Sequence, residues 1–110
     1  MNDDTLSAAF SALAHPTRRA IVARLAKGTA SVNELAEPFD MTLPAISKHI
    51  RVLESAGLIS REKAAQFRIC KLETQPIQDI SSWTEQYRHI WDARFEVMGN
   101  LLEALKEKDK

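Results

Sequence analysis

Residues 42–59 read TLPAISKHIRVLESAGLI. The apolar positions Ile46, Ile50 and Leu53 fall at i, i+4 and i+7, the spacing of one helix face. Between them lie Pro44, Ser47, Lys48 and Arg51. A surface helix ordinarily carries Glu and Lys there, paired along its length. This one carries short polar groups and cations, with Pro44 in the first turn, where a missing N–H costs little. Thr42 caps its start and Gly57 ends it. The inner stripe must be buried, and the outer face is shaped to be approached closely.

The rest of the chain is punctuated by glycine and proline. Leu6, Ala9, Phe10 and Leu13 repeat at helical spacing, with Asp4 as the cap. His15-Pro16-Thr17 interrupts that pattern, and Pro16 suits the first position of a second helix, which carries Ile21, Val22 and Leu25 inward and stops at Gly28. Ser31-Val32-Asn33-Glu34 is a capping box opening a short third helix that Pro38 ends. The fourth helix follows Thr42. After Gly57 the period changes: Ile59 and the Phe67–Cys70 run have strand character, separated by Ala-Ala-Gln, and read as a β-hairpin. Pro76 then opens one long helix of about 30 residues, about 45 Å by its rise per residue. The order is four helices, a hairpin and a fifth helix, within one domain over residues 1–110. A mainly α chain with short third and fourth helices followed by two strands is a winged helix-turn-helix arrangement.

Net charge is zero over 110 residues, but the charges are segregated. Residues 42–71 carry Lys48, Arg51, Arg61, Lys63, Arg68 and Lys71 against Glu54 and Glu62, while residues 72–110 carry eight acids against five bases. A basic middle that coincides with the unusual helix is the footprint of a nucleic-acid face. The bland alternative is a charge fluctuation on a solvated surface. The major groove of DNA admits one α-helix, and the first turns of that helix meet base edges. Ser47 can donate or accept at a base edge, Lys48 can reach guanine or a phosphate, and Leu43 and Pro44 can lie against thymine methyls. Arg51, one turn on, suits a phosphate. Arg61, Lys63 and Arg68 in the hairpin suit phosphates too, which set affinity and register more than sequence preference.

Three segments resemble the ArsR-type winged-helix transcriptional regulators: HPTRRAIVARLAKG, then SVNELAEPFDMTLPAISKHIRVLESAGLI, then the basic hairpin. Ser47-Lys48-His49-Ile50 with Leu53-Glu54-x-Ala56-Gly57-Leu58-Ile59 is similar to that family's S-x-H-L…L-x-x-A-G-L-V signature. The likeness runs from about residue 5 to 105, and WTEQYRHIWDARFEVM resembles the tail of a small autorepressor-like subgroup. It implies a homodimer that blocks transcription on a palindromic operator. Thr42, His49 and, on the second helix, Arg18 complete the candidate DNA contacts; for His49 a packed, hydrogen-bonded ring is an equal alternative. Two departures stand out. Ala65-Gln66 replaces the Gly-Arg usual at the wing tip, and ELAEPFD occupies the third-helix position where metal-responsive members carry a Cys-x-Cys type motif.

The last helix carries Ile80, Trp83, Tyr87, Ile90, Trp91, Phe95, Met98, Leu101, Leu102 and Leu105, a stripe too wide for four short helices to cover. A second copy of the chain is the simplest cover, with Leu6, Phe10 and Leu13 of the first helix in the same interface. A ligand pocket lined by Trp83 and Trp91 is the other reading. For sensing, His89 and Asp92 with Glu85 and Glu96 read as a solvated stripe rather than a metal set, and the family's Asp-x-His tail pattern is not reproduced. Cys70 is the single cysteine, which precludes an intrachain disulfide and suits a reducing cytoplasm. Beside Ile69 it reads as a small hydrophobe, though a lone thiol can still switch by adduct formation. No apolar run is long enough to span a bilayer, and the acidic start argues against a signal peptide. No catalytic constellation and no cofactor motif has a recognisable spacing. The expected function is a cytoplasmic, dimeric, sequence-specific repressor. A metal- or redox-responsive repressor and a winged-helix module that binds protein instead of DNA stay open.

Overall fold

The punctuation read from the sequence sets most element boundaries. The computed structural model describes residues 3–108, without the side chains of residues 95, 96, 107 and 108. Its elements are α1 (Asp3–Ala12), α2 (Pro16–Leu25), β1 (Ala30–Ser31), α3 (Val32–Ala36), α4 (Leu43–Ser55), β2 (Ile59–Ala64), β3 (Phe67–Leu72), α5 (Gln75–Glu85), a 3-10 turn (Arg88–Ile90) and α6 (Ala93–Lys108). They form two compact units, one through Ile80 and one from Ser81. The first is a winged helix-turn-helix: mainly α, with a small antiparallel sheet.

Capping explains the helix starts. The His15 ring accepts the Thr17 N–H at 3.2 Å, with Pro16 in the first turn of α2. Ser31 and Glu34 close the capping box reciprocally, each bond 3.1 Å. Thr42 Oγ1 accepts from the Ala45 N–H at 3.3 Å at the head of α4. Asp4 is not a cap: α1 already begins at Asp3, which puts Asp4 in the first turn, where an acid still favours the positive end of the helix dipole.

The core of the first unit is built on the inner stripe of α4. Ile46, Ile50 and Leu53 are fully buried, together with Ile21 of α2, Leu35 of α3, Leu58 and Cys70. α4 touches α1, α2, α3 and β2 through that stripe. Burying each such side chain is worth about 1.5–3 kcal/mol. The last turn closes with paired bonds, Gly57 N–H to Glu54 O at 3.0 Å and Leu58 N–H to Leu53 O at 3.0 Å. That closure needs a left-handed residue, and Gly57 supplies φ +77°.

β3 is the central strand, in the order β1-β3-β2. Cys70 pairs with Ala30 on one side and Arg61 on the other. β1 is absent from the sequence pattern, since two residues are too short to show an alternation. The Ala64–Phe67 register leaves Ala65 and Gln66 as a two-residue turn, and Ala65 sits at φ +56°. A Cβ in that region costs about 1–2 kcal/mol.

The second unit corrects the long final helix. α5 stops at Glu85, and a 3-10 turn separates it from α6. Tyr87, His89, Ile90 and Trp91 are weak helix formers. Asp92 then takes the Arg94 N–H at 2.8 Å, the bond that starts a new helix rather than continuing an old one. Its carboxylate also meets the Arg94 and Arg88 guanidinium groups at 3.1 Å and 3.3 Å. Hydrophobic periodicity runs through this break because apolar residues continue on both sides of it.

Two stability outcomes follow. Ile50→Ala is expected to lose about 2–5 kcal/mol in urea unfolding, as a cavity in an unyielding core does. Ala65→Gly is expected to gain about 1 kcal/mol, the relief of the left-handed Cβ less the added freedom of the unfolded chain.

Candidate nucleic-acid interface

The face of α4 opposite its buried stripe is open. Leu43, Pro44, Lys48 and Arg51 are exposed, and Ser47 and His49 are half-buried. Thr42, exposed, spends its hydroxyl on the helix cap. A cleft of about 330 Å³ runs beside this face. Leu43, Ser47 and Arg51 form one wall, and Arg61, Gln66, Phe67 and Arg68 of the hairpin form the other. Ser31, Val32 and Asn33 close one side, carried there by the pairing of β1 with β3. The structure thus brings Ser47, Arg51, Arg61 and Arg68 together. Lys48 and Lys63 lie outside the cleft lining.

The hairpin's pleat sets which of its cations share a face. Arg61 pairs with Cys70 and Lys63 with Arg68, so these residues share one face. At Cys70 that face is buried in the core, and at Lys63 and Arg68 it is exposed. Lys63 directly opposite Arg68 is a like-charge pair, an unfavourable arrangement in isolation. Among the described residues, Lys48, Arg51, Lys63 and Arg68 enter no ion pair.

Two candidate cations are engaged within the protein. Arg61 binds the Glu54 carboxylate with both arms of its fork, Nε to Oε2 at 3.1 Å and a terminal nitrogen to Oε1 at 2.8 Å. Its hydrogen bonds hold the Glu54 carboxyl below the usual carboxylate range, and Glu54 in turn raises Arg61. Arg18 donates to the carbonyls of Ala12 and Ser11 at the end of α1 and to His49 Nδ1 at 3.3 Å. A guanidinium only donates, so Nδ1 carries the lone pair and the neutral ring's proton sits on Nε2. The His15 and His49 rings lie 4.5 Å apart. His49 therefore joins α4 to α1 and α2, the packed-histidine alternative. Phe67 and Asn33 are cleft residues that sequence reasoning did not single out, and Gln66 entered there only as a departure at the wing tip. The available signal was an aromatic beside a cation, Phe67-Arg68, on a strand whose tip buries nothing.

A helix-turn-helix domain model matches residues 13–62, which cover α2, α3, α4 and the start of the hairpin. The transcriptional repressor SdpR of Bacillus subtilis is 36% identical over 74 residues, 67% of this chain and 82% of SdpR. A crystal structure of an ArsR family transcriptional regulator superposes with a TM-score of 0.76 at 41% identity, covering 84% of this chain and 95% of that one. The chain belongs to the ArsR family of transcriptional regulators. A homodimeric winged helix-turn-helix DNA-binding domain from Mycobacterium bovis, at 21% identity and a TM-score of 0.64, covers 82% of this chain and 91% of its own and shares the fold.

The interface expected of this ArsR-family chain divides in two. In the first unit Leu6 is buried and Leu13 packs against the core, while Phe10 stays exposed. In the second unit Trp83, Tyr87, Trp91, Met98 and Leu102 are all exposed, joined by Ile90, Val97, Leu101 and Leu105. Trp83 and Tyr87 pack ring to ring at 5.2 Å. The Phe95 side chain lies outside the described residues. Glu85 pairs with Arg88 at 2.9 Å and Asp92 with Arg88 and Arg94, so these two acids of the tail stripe are spent on cations, and the Glu96 side chain lies outside the described residues. Among the described residues no group of three or more His, Cys, Asp or Glu could hold a metal, and no helix is long and apolar enough to cross a membrane. Burial pushes the Cys70 thiol up, away from the reactive thiolate.

His49 gives the region a pH dependence. Desolvation first, then the charges of His15, Arg18 and Lys48, hold its ring below the ordinary histidine range. The folded state therefore resists a proton that the unfolded chain accepts, so this stability is present above a pH of about 6.5 and is lost as pH falls through the lowered folded value. Thermal melts between pH of about 7.5 and about 5.5 are expected to show a steeper loss for the native protein than for His49→Gln, whose amide oxygen still accepts from Arg18.

Proposed function

We propose that this chain is a sequence-specific DNA-binding repressor that works in the cytoplasm as a homodimer on a palindromic operator. The observation that carries this reading is the cleft between α4 and the hairpin. Arg51 and Arg68 line its two walls and enter no ion pair among the described residues, and Lys63 pairs with Arg68 across the hairpin. Such crowding of like charge is relieved when a polyanion lies along it. Ser47 lies on the same wall, and Lys48 and Pro44 lie beside it on the first turns of α4, the part of a groove-binding helix that meets base edges.

The dimer comes from the exposed side chains of the second unit. On α6, Val97, Met98, Leu101, Leu102 and Leu105 recur along the helix and stay exposed, between 49% and 66% of their surface. An apolar stripe of that length favours a matching stripe from a second copy. Phe10 of the first unit is a separate exposed apolar position for the same partner. Two copies of α4 about 34–36 Å apart then read half-sites one turn apart with summed energies. Similarity to the transcriptional repressor SdpR supports repression as the outcome.

Selection of bound fragments from random DNA gives the operator on which the reading is tested. Ser47→Ala and Lys48→Ala are expected to change base preference. Lys63→Ala should weaken all duplexes alike and reduce the slope of log K against log salt by about 0.9. Equal effects of all three on operator and random DNA would refute the division of roles. Leu102→Glu is expected to dissociate the dimer in sedimentation and to cost operator affinity; an intact dimer in that variant sinks the assignment of the α6 stripe.

A further inference from the structure

We propose that the Glu54–Arg61 pair is a positioning latch that sets the hairpin's angle to α4, so that Arg61 aids DNA binding without touching DNA. The proposal rests on the DNA-binding reading above.

Three observations converge on it. The pair is two-pronged, 3.1 Å and 2.8 Å, and joins the last turn of α4 to β2. A planar fork on a carboxylate fixes direction as well as distance. The Arg61 side chain is only 19% exposed, so it is held rather than free to sweep the cleft. Beyond this rung the hairpin keeps one further tie, Ile69 paired with Ser31 of β1, and every residue from 62 to 68 is exposed. Arg61 faces Cys70, which is fully buried, and the next rung on the same face is Lys63 with Arg68. On that face the Arg61–Cys70 rung is the last one tied to the core, and it aims those two cations.

Charge supplies the argument against a direct role. Arg61 lines the cleft with Ser47, Arg51 and Arg68, where a phosphate contact is the obvious assignment. Its charge is cancelled on site by Glu54. An acid placed near a phosphate backbone repels it, so removing Glu54 should help DNA binding if the pair has no positioning role. The two roles thus predict opposite signs for the same substitution.

The test uses the full chain, the selected operator fragment and a random duplex of equal length, with binding followed across a salt series. Glu54→Gln is expected to weaken operator binding about tenfold although it removes a negative charge. The log K against log salt slope should shrink by about 0.9 for each phosphate that the hairpin no longer reaches. Adding Arg68→Ala to Glu54→Gln should then cost little more. Arg61→Lys keeps the charge but loses the fork, and should behave like Glu54→Gln. The exchanged pair, Glu54→Arg with Arg61→Glu, should recover much of the affinity. Circular dichroism shows whether each variant is folded, and the Arg61→Lys chain serves if the glutamine variant is not. Glu54→Gln binding as tightly as the native chain or tighter, with an unchanged slope, overturns the latch. So does Arg61→Lys retaining native affinity, which is the behaviour of a plain phosphate contact. A native chain with no salt-dependent binding to any duplex would instead bring down the DNA-binding reading, and the latch with it.

Discussion

The first unit depends on the burial of a single helix stripe. Ile46, Ile50 and Leu53 reach zero exposure because α1, α2, α3 and β2 all rest on α4. This dictates the rest of the interface. A helix pinned along one line can neither rotate about its axis nor slide along it, so the Cα–Cβ directions of Ser47, Lys48 and Arg51 are fixed without any bond of their own. The caps at Thr42 and Gly57 fix its two ends. Polar contacts add orientation where packing leaves freedom: Arg18 ties α4 to the end of α1, and Arg61 ties it to the hairpin.

The basic residues therefore sort into two kinds by partner rather than by sequence position. Arg18 and Arg61 are joined to carbonyls, a ring nitrogen or a carboxylate, and act as fasteners. Arg51, Lys63 and Arg68 are exposed and enter no ion pair among the described residues. Cations of the second kind have no direct ion pair to neutralise them. Those of the first kind hold the walls at the width that lets the field act on one ligand.

Much of this was legible in the sequence because its signals were local. The α4 stripe, the Ser31–Glu34 capping box, the Pro16 start and the Gly57 stop each need only a few consecutive residues, and each is found in the structure. What was not legible depends on partners far along the chain. β1 exists because β3 passes beside Ala30 and Ser31, about forty residues away. The fates of Arg18 and Arg61 turn on carbonyls, His49 and Glu54, which spacing alone does not connect to them. The break before α6 was hidden for another reason. An apolar rhythm reports burial, and it persists across Tyr87–Asp92 while the backbone there obeys poor helix formers and the Asp92 cap.

Zero net charge beside an unneutralised cleft has a consequence for how fast the protein finds its target. At a distance the positive and negative charges cancel, so there is little pull toward the anionic bulk of a chromosome. The cleft's field is felt only within a Debye length of about 8 Å at physiological salt. Encounters with DNA are then brief unless the cleft itself faces the duplex. A chain of this kind spends less time trapped on unrelated sequence than a uniformly basic one, and gives up diffusional steering in exchange.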